Sequence, residues 1–215
     1  MSGAVGDAAN SAARGVITSI ETLRSLYAPP GERAVRKQLA RLDVHCRRFV
    51  ALSPLLVISS ASADGRMDAS PRGGDPGFVK TPDDKTILIP DSPGNNRLDT
   101  LANIIETGRA GLLFLVPGVD ETLRINGTAQ LCDDPGSLEL ARSERRLPKL
   151  VIRIDVEEAY LHCAKALMRS RLWAPESVVD RSVLPTMGRM INDQSGVDEA
   201  TETQEQMVAR YRKDL

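Results

Sequence analysis

Apolar positions along this chain change their spacing several times, and each change marks an element. Ile17, Ile20, Leu23 and Leu26/Tyr27 recur at helical intervals until Pro29-Pro30-Gly31 stops them, and Val35, Leu39 and Leu42 mark a second helix. Two helices are therefore expected ahead of the first strand. Leu55 to Ser60 is then a continuous apolar, β-branched run, bounded by Pro54 and by Ala63-Asp64-Gly65. Asp-Gly is a strong hairpin signal, so strands are expected on both sides of it.

Further strands are predicted over Phe78–Lys80, Thr86–Pro90, Ala110–Val116, Glu121–Asn126, Thr128–Cys132 and Leu150–Val156, with a hairpin through Asp83-Asp84-Lys85. One helix interrupts them, from about Arg97 to Thr107. Leu98, Leu101, Ile104 and Ile105 form its apolar face, and Gly108 is placed as its cap. A second is expected between Pro135 and Arg145. After Leu161 come a short helix to about Ser170, a Pro-containing connector, a helix at Leu184–Asn192 and a charged helix over Val197–Lys213. Many short strands divided by turns such as Pro117-Gly118-Val119-Asp120 predict an antiparallel barrel.

With 215 residues the chain can bury one good core, which points to one domain with appended helices. Met1 to Gly15 is small, polar and Gly/Ala/Ser-rich, the composition of a flexible tail. The 29 acidic and 28 basic side chains nearly cancel, leaving no global basic field for nucleic acid or an anionic membrane. A small-molecule partner is expected. Three cysteines without a close pair form no disulfide framework, and the N-terminus has no apolar signal core, which points to the cytoplasm. The longest apolar runs, such as Gly111–Val116, are far shorter than the roughly 20 residues of a membrane span.

Candidate chemistry concentrates between Arg66 and Gly127, where strand-like runs alternate with Arg/Asn/Ser/Gly-rich loops suited to a phosphate. A terminal phosphate carries roughly −1.5 to −2 charges and is best held by guanidinium forks, short donors and backbone N–H groups at a helix start. Arg97, at the mouth of the Asn95-Asn96 loop, supplies all of these, although an Arg after Pro-Gly-Asn-Asn can also be a solvated turn. Arg66 is either a second such cation or a surface residue following a hairpin. Arg72, before Gly73-Gly74, is either a ligand or part of a solvent loop. Ser70 could donate to a phosphate or cap a strand. Lys165 and Arg169, four apart on one helical face, either reach a ligand or form a solvated face.

Other chemistries find little support. His45-Cys46, Cys132 and His162-Cys163 lack the paired spacing of a structural zinc site, so no metal is expected. No Gly-x-Ser-x-Gly elbow occurs. Gly94-Asn95-Asn96-Arg97 is not a Walker loop, and Gly73-Gly74-Asp75-Pro76-Gly77 lies in no βαβ unit. Trp173, the single tryptophan, is expected at an interface, over a cofactor edge or in the core.

The order of five segments carries a family resemblance. Arg66-Met67 enters a strand, a hairpin follows, Asn95-Asn96-Arg97-Leu98 starts a helix, and Gly111-Leu112-Leu113-Phe114 precedes Leu123-Arg124-Ile125-Asn126-Gly127. Over roughly Ala40 to Trp173 this resembles the pyridoxamine 5′-phosphate oxidase-like, FMN-binding split-barrel proteins, and most of all a branch of uncharacterised flavoproteins in which His162–Ser170 is also typical.

The resemblance implies a mainly β, α+β fold: a split barrel of about six antiparallel strands with flanking helices. The chain would divide into a tail (1–15), an FMN-binding domain with N-terminal helices (16–173) and a C-terminal helical extension (174–215). It also implies a homodimer with FMN in a cleft between the subunits. Arg66 would open the first FMN-contacting strand, with Met67, Asp68, Ala69 and Ser70 running beside the isoalloxazine. Arg97, after Asn95 and Asn96, would be the second phosphate cation, and Arg72, Lys165 and Arg169 complete the candidate set.

Thr122 stands where the oxidases carry a glutamine near the flavin. The Arg-x-His pair that binds substrate in the true oxidases is missing, since no histidine follows His162. That specific activity is therefore not expected. The implied activity is hydride transfer between FMN and a small organic substrate or NAD(P)H, with no required catalytic side chain. The alternatives are a non-catalytic flavin-binding dimer, or a haem-binding split barrel with His45 or His162 as axial ligand.

Overall fold

The computed structural model describes residues 15–143 and 146–213, and the chain forms two compact units, residues 1–37 and 38–215. In the first unit, α1 (Ile20–Ser25) starts where the Ser19 hydroxyl accepts the Thr22 N–H at 3.1 Å. After Pro29-Pro30, α2 (Glu32–Arg36) carries an exposed Arg36–Glu32 ion pair at 2.7 Å. Neither helix buries a residue. Their apolar spacing is that of helices, as expected, but it meets no core within the unit.

The second unit corrects the predicted second helix. Only Val35 of its three markers lies in α2. Leu39 instead exchanges backbone hydrogen bonds with Ala159, and Leu42 is buried in irregular backbone ahead of a helix the apolar spacing did not announce. That helix, α3 (Val44–Leu52), is capped by Asp43, whose carboxylate accepts the Cys46 N–H at 2.8 Å. It buries Cys46 and Val50, one turn apart.

Six antiparallel strands follow: β1 (Leu55–Ala61), β2 (Met67–Gly73), β3 (Thr86–Pro90), β4 (Arg109–Leu115), β5 (Thr122–Cys132) and β6 (Val151–His162). Their order in the sheet is β2-β1-β4-β5-β6-β3. This is the curled antiparallel sheet of a split barrel in an α+β fold. Alternation sets its two faces. Leu56 and Ile58 on β1, Leu112 and Phe114 on β4, and Leu123 and Ile125 on β5 all turn into one core with Cys46, Val50, Leu101 and Ile104. Each large side chain sealed there contributes roughly 1.5–3 kcal/mol. β3 is apolar without alternation because both its faces are covered. Ile87 and Ile89 enter the main core, while Leu88 joins Val151, Ala141 and Leu138 beneath α5 (Pro135–Leu140).

Two predicted strands merge. Glu121–Asn126 and Thr128–Cys132 are one strand, β5, with a register shift at Asn126/Gly127. A Cβ on Gly127 would lie 2.1 Å from the Asp155 carbonyl oxygen, so this close crossing needs glycine. Phe78–Lys80 contributes only the Lys80–Leu88 bridge, and β6 runs past its predicted end at Val156 to His162. The Asp64-Gly65 turn joins β1 to β2 with Gly65 at φ 87°.

The helix predicted from Arg97 begins two residues later, as α4 (Asp99–Thr107), and ends on left-handed Gly108 as expected. The helix predicted up to Arg145 stops at Leu140, and Arg145 itself lies outside the described residues, as do residues 1–14 of the predicted tail. Beyond β6 come α6 (Lys165–Ser170), two short 3-10 turns, α7 (Met187–Ser195) and α8 (Gln204–Tyr211). Among the described residues no helix is long and apolar enough to cross a membrane.

Candidate functional site

β2 is an edge strand, paired only with β1. The pairing Ser60↔Asp68 turns Asp68 to the same face as buried Ser60, and Ser70 and Arg72 follow it by the two-residue repeat. Met67, Ala69 and Pro71 point to the opposite, outer face, where Met67 is 75 % exposed.

On the inner side, α4 is tied along the β1–β2 hairpin by three side chains on one helical stripe. Thr100, only 2 % exposed, donates its hydroxyl to Asp68, which also accepts from Ser70 at 2.9 Å. The Asn103 amide donates to the Ser60 hydroxyl at 3.0 Å, and Glu106 accepts the Ala63 N–H at 2.9 Å. Thr100 and Asn103 were missed as site residues. Their signal was two polar side chains three apart, set among Leu101 and Ile104 in an otherwise apolar stripe.

The loop ahead of α4 holds Arg97 in an unusual frame. Asn96 and Leu98 on either side of it both have φ near 60°. For residues other than glycine this left-handed conformation costs roughly 1–2 kcal/mol each, and for a bulky leucine it is rare. The Asn95 side chain accepts the Arg97 N–H at 3.1 Å, and the Arg97 guanidinium lies 2.8 Å from Asp99. The Asp99 hydrogen bond and charge, with a further contribution from Asp68, hold that guanidinium more firmly protonated than usual. Arg97 is exposed, as are Asn95 and Asn96.

Arg66, just before β2, is exposed and pairs with Asp64 at 3.0 Å. Arg72 donates to the Pro71 carbonyl at 2.9 Å. Partial burial raises the pKa of Asp91 at the end of β3, while the charges of Arg72 and Lys149 oppose that rise.

Asp68 and Ser70 thus lie against the first turn of α4, next to the Asn95–Arg97 loop, while Arg66 precedes them at the Asp64-Gly65 turn, Met67 and Ala69 face outward and Arg72 follows further along the strand. Lys165 and Arg169 do not join them within the chain. They lie on exposed α6, which follows β6, and the antiparallel ladder sets the end of β6 at the opposite end of the sheet from the start of β2. Thr122 pairs with His162 at that far end, where the His162 and Tyr160 rings are 5.2 Å apart. His45 is exposed on α3. The Trp173 indole donates to the Val119 carbonyl at 3.0 Å, which seats it against the β4–β5 turn. Among the described residues no group of three or more potential metal ligands occurs.

The outer face of the sheet is built of small and apolar side chains. Val57 and Leu113 are cross-strand neighbours, as are Leu55 and Leu115, and Ser59 lies opposite Gly111. An open groove of about 460 Å³ crosses this face, with Ser59, Ala61, Gly111 and Met67 along it and the Arg109–Glu157 ion pair at its rim. A Cβ on Gly111 would come within 3.0 Å of the Asn126 side-chain oxygen, so glycine keeps this floor low.

A family model described as pyridoxamine 5′-phosphate oxidase matches residues 42–163, more than half of the chain. No protein with a curated description matches. Among solved structures, HupZ of Group A Streptococcus is 20 % identical over 55 % of this chain and 91 % of its own, with a TM-score of 0.46. A putative pyridoxamine 5′-phosphate oxidase from Lactobacillus delbrueckii is 20 % identical over 58 % of this chain and 98 % of its own, at 0.45. An FAD binding protein from Mycobacterium smegmatis is 15 % identical over 58 % of this chain and 97 % of its own, at 0.42.

Proposed function

Because this chain belongs to the pyridoxamine 5′-phosphate oxidase family, we propose that it is an FMN-dependent flavoprotein acting as an oxidoreductase on a small organic substrate or NAD(P)H. The observation that carries the reading is the strained frame around Arg97. Two non-glycine residues in left-handed conformation bracket one exposed guanidinium at the start of α4, and strain of this kind is retained where a loop has a task. The donor set suits a phosphate monoester: a guanidinium, the Asn95 and Asn96 amides and the free N–H groups of the first turn of a nine-residue helix.

In this reading Arg97, Asn95 and Asn96 hold the phosphate, with Arg66 as a second cation. β2 offers its edge, through Met67 to Ser70, to the ring system. The Asp68 carboxylate, engaged by Thr100 and Ser70, fixes α4 against that strand and so sets the position of Arg97. Bound FMN supplies hydride and electron transfer, while the chain contributes binding, orientation and exclusion of water. The low floor of the outer face, from Ser59 to Gly111, suits close approach of a flat ligand or a second backbone.

The working unit in this reading is a homodimer. The outer sheet face carries Val57, Leu113, Leu115 and Pro71 in partly open positions, an apolar surface that a second copy would cover. Lys165 and Arg169, at the far end of the sheet, would then serve a site shared with the partner chain. We assign this dimer to the cytoplasm.

Purified protein should be yellow, with a flavin absorption spectrum, and its heat-released cofactor should run with FMN on chromatography. Anaerobic titration with NADH and NADPH then reads reducibility. A haem Soret band, or no chromophore after incubation with excess FMN, overturns the cofactor. Bound FMN that neither nucleotide nor any small reductant bleaches would leave a flavin-binding dimer in place of an oxidoreductase.

A further inference from the structure

At the far end of the sheet the β4–β5 turn and the segment after β6 enclose an open groove of about 280 Å³, lined by Asp120, Leu167, Met168, Arg171, Trp173 and Ala174. It shares no residue with β2, α4 or the loop before it. Ligand sites for nucleotides and drug-sized molecules generally run to roughly 300–1,000 Å³, so this groove suits something smaller.

The lining is chemically specific. Asp120 is half-buried, and among the described residues its carboxylate has no hydrogen-bond or salt-bridge partner. Its oxygens reach solvent, so Asp120 is available to a cation or donor that enters the groove. Arg171 supplies the opposite charge. It occupies the C-terminal cap of α6 at φ 51°, a position where glycine is the ordinary choice. An arginine kept in that backbone conformation points to a use for its side chain. Its guanidinium has only a loose contact with Glu176, at 3.9 Å.

The backbone around Arg171 is fixed: its carbonyl accepts both the Ala174 N–H at 2.9 Å and the Ser177 hydroxyl at 2.7 Å. Trp173 is fixed as well, because its one donor is already engaged by Val119 at 3.0 Å. What the indole offers to the groove is apolar ring surface, beside Leu167 and Met168.

We propose that this groove binds a small zwitterion, a free amino acid with an apolar or aromatic side chain. Its ammonium group pairs with Asp120, its carboxylate with Arg171, and its side chain lies on Trp173, Leu167 and Met168. One charge of each sign over an apolar floor matches a zwitterion better than a simple anion or cation, either of which would leave one charged group facing its like. None of the lining residues is among those assigned to the flavin.

The single tryptophan is a built-in reporter. Full-length protein would be titrated with L-phenylalanine, with 3-phenylpropionate, which lacks the ammonium, and with phenethylamine, which lacks the carboxylate. Indole emission would be followed, and calorimetry would repeat each titration so that a silent indole is not taken for absent binding. L-Phenylalanine should bind saturably, and each half-ligand about two- to fivefold more weakly, as expected for the loss of one partly exposed charge contact.

Asp120→Asn should reduce L-phenylalanine to the affinity of 3-phenylpropionate while leaving 3-phenylpropionate unchanged or tighter. Arg171→Gln should do the converse with phenethylamine. The two charge variants check each other, since misfolding would abolish binding of all three probes in both. No saturable heat or emission change up to about 10 mM L-phenylalanine overturns the proposal. So does equal affinity for the three probes, or an emission spectrum that shifts with protein concentration and not with ligand, which would make the groove a contact between copies of the chain.

Discussion

Thr100, in the first turn of α4, donates its hydroxyl to the carboxylate of Asp68 on β2 and thereby fixes the helix that presents Arg97 to the strand that begins beside Arg66. The two residues are 32 positions apart, and their contact is the hinge of the candidate site.

Removing the hydroxyl with Thr100→Val should cost about 1–3 kcal/mol, because a nearly sealed donor to a charged acceptor is lost. Asp68→Ala should cost a similar amount by leaving Thr100 and Ser70 without their acceptor. If the pair acts as a unit, the double variant will be much less damaged than the sum of the two. Urea unfolding of the three variants reads this directly, and additive losses would show that the contact is incidental.

Arg97→Ala should weaken FMN about ten- to a hundredfold and riboflavin hardly at all, since only FMN carries the phosphate. Arg97→Lys should recover part of the loss, because an ammonium keeps the charge but not the fork. Asp99→Asn should tighten FMN a few-fold by removing the carboxylate that now holds the guanidinium at 2.8 Å. Fluorescence titration with both ligands decides between these outcomes, and equal losses for FMN and riboflavin would sink the phosphate assignment.

Gly127→Ala should destabilise by at least about 1–3 kcal/mol, since the new methyl group would meet the Asp155 backbone, which cannot yield as a side chain would. Gly118→Ala is the control. A Cβ there meets open space, and only the left-handed backbone, at φ 82°, opposes it, for about 1 kcal/mol. Comparable melting temperatures for the two variants would contradict the crossing at the bulge.

Burial pushes the Cys46 thiol from an ordinary 9.0 up to about 11, with Asp43 adding to the rise. The folded state therefore keeps this proton when the unfolded chain has released it. Stability should be unaffected by this group below about pH 9 and should fall as pH rises from there through about 11. Cys46→Ala should flatten that part of the profile, at the cost of a small cavity. Alkylation at about pH 8 should modify exposed Cys163 long before Cys46. A wild-type profile already flat above about pH 9 would contradict the assignment.

Much of the architecture was legible because its signals are local. Asp64-Gly65 forces a turn wherever it stands between strand-like runs, and Gly108 is left-handed at the end of α4 because a helix needs such a residue to stop. The same holds for the alternation of Leu112 and Phe114, which fixes one face of β4. The missed helix α3 had its own local signals, the Asp43 cap and the Cys46/Val50 pair, but the competing spacing of Val35, Leu39 and Leu42 imitated a helix across what is a turn and a bridge. Two apolar intervals of three or four residues arise by chance in any chain, so spacing without a cap is weak evidence.

The sequence by itself determined the positions of β1, β3, β4 and α4 and of the Asp64-Gly65 and Gly108 turns, because each depends on residues within one turn or one strand of each other. Only the tertiary structure decided that Asp68 accepts the Thr100 hydroxyl of α4, that Asp99 holds Arg97, that Lys165 and Arg169 lie at the opposite end of the sheet from the start of β2, and that Asp120, Arg171 and Trp173 line one groove. Those relationships join segments tens of residues apart. They follow from which element covers which face of the sheet, a matter of packing the whole core that no local spacing records.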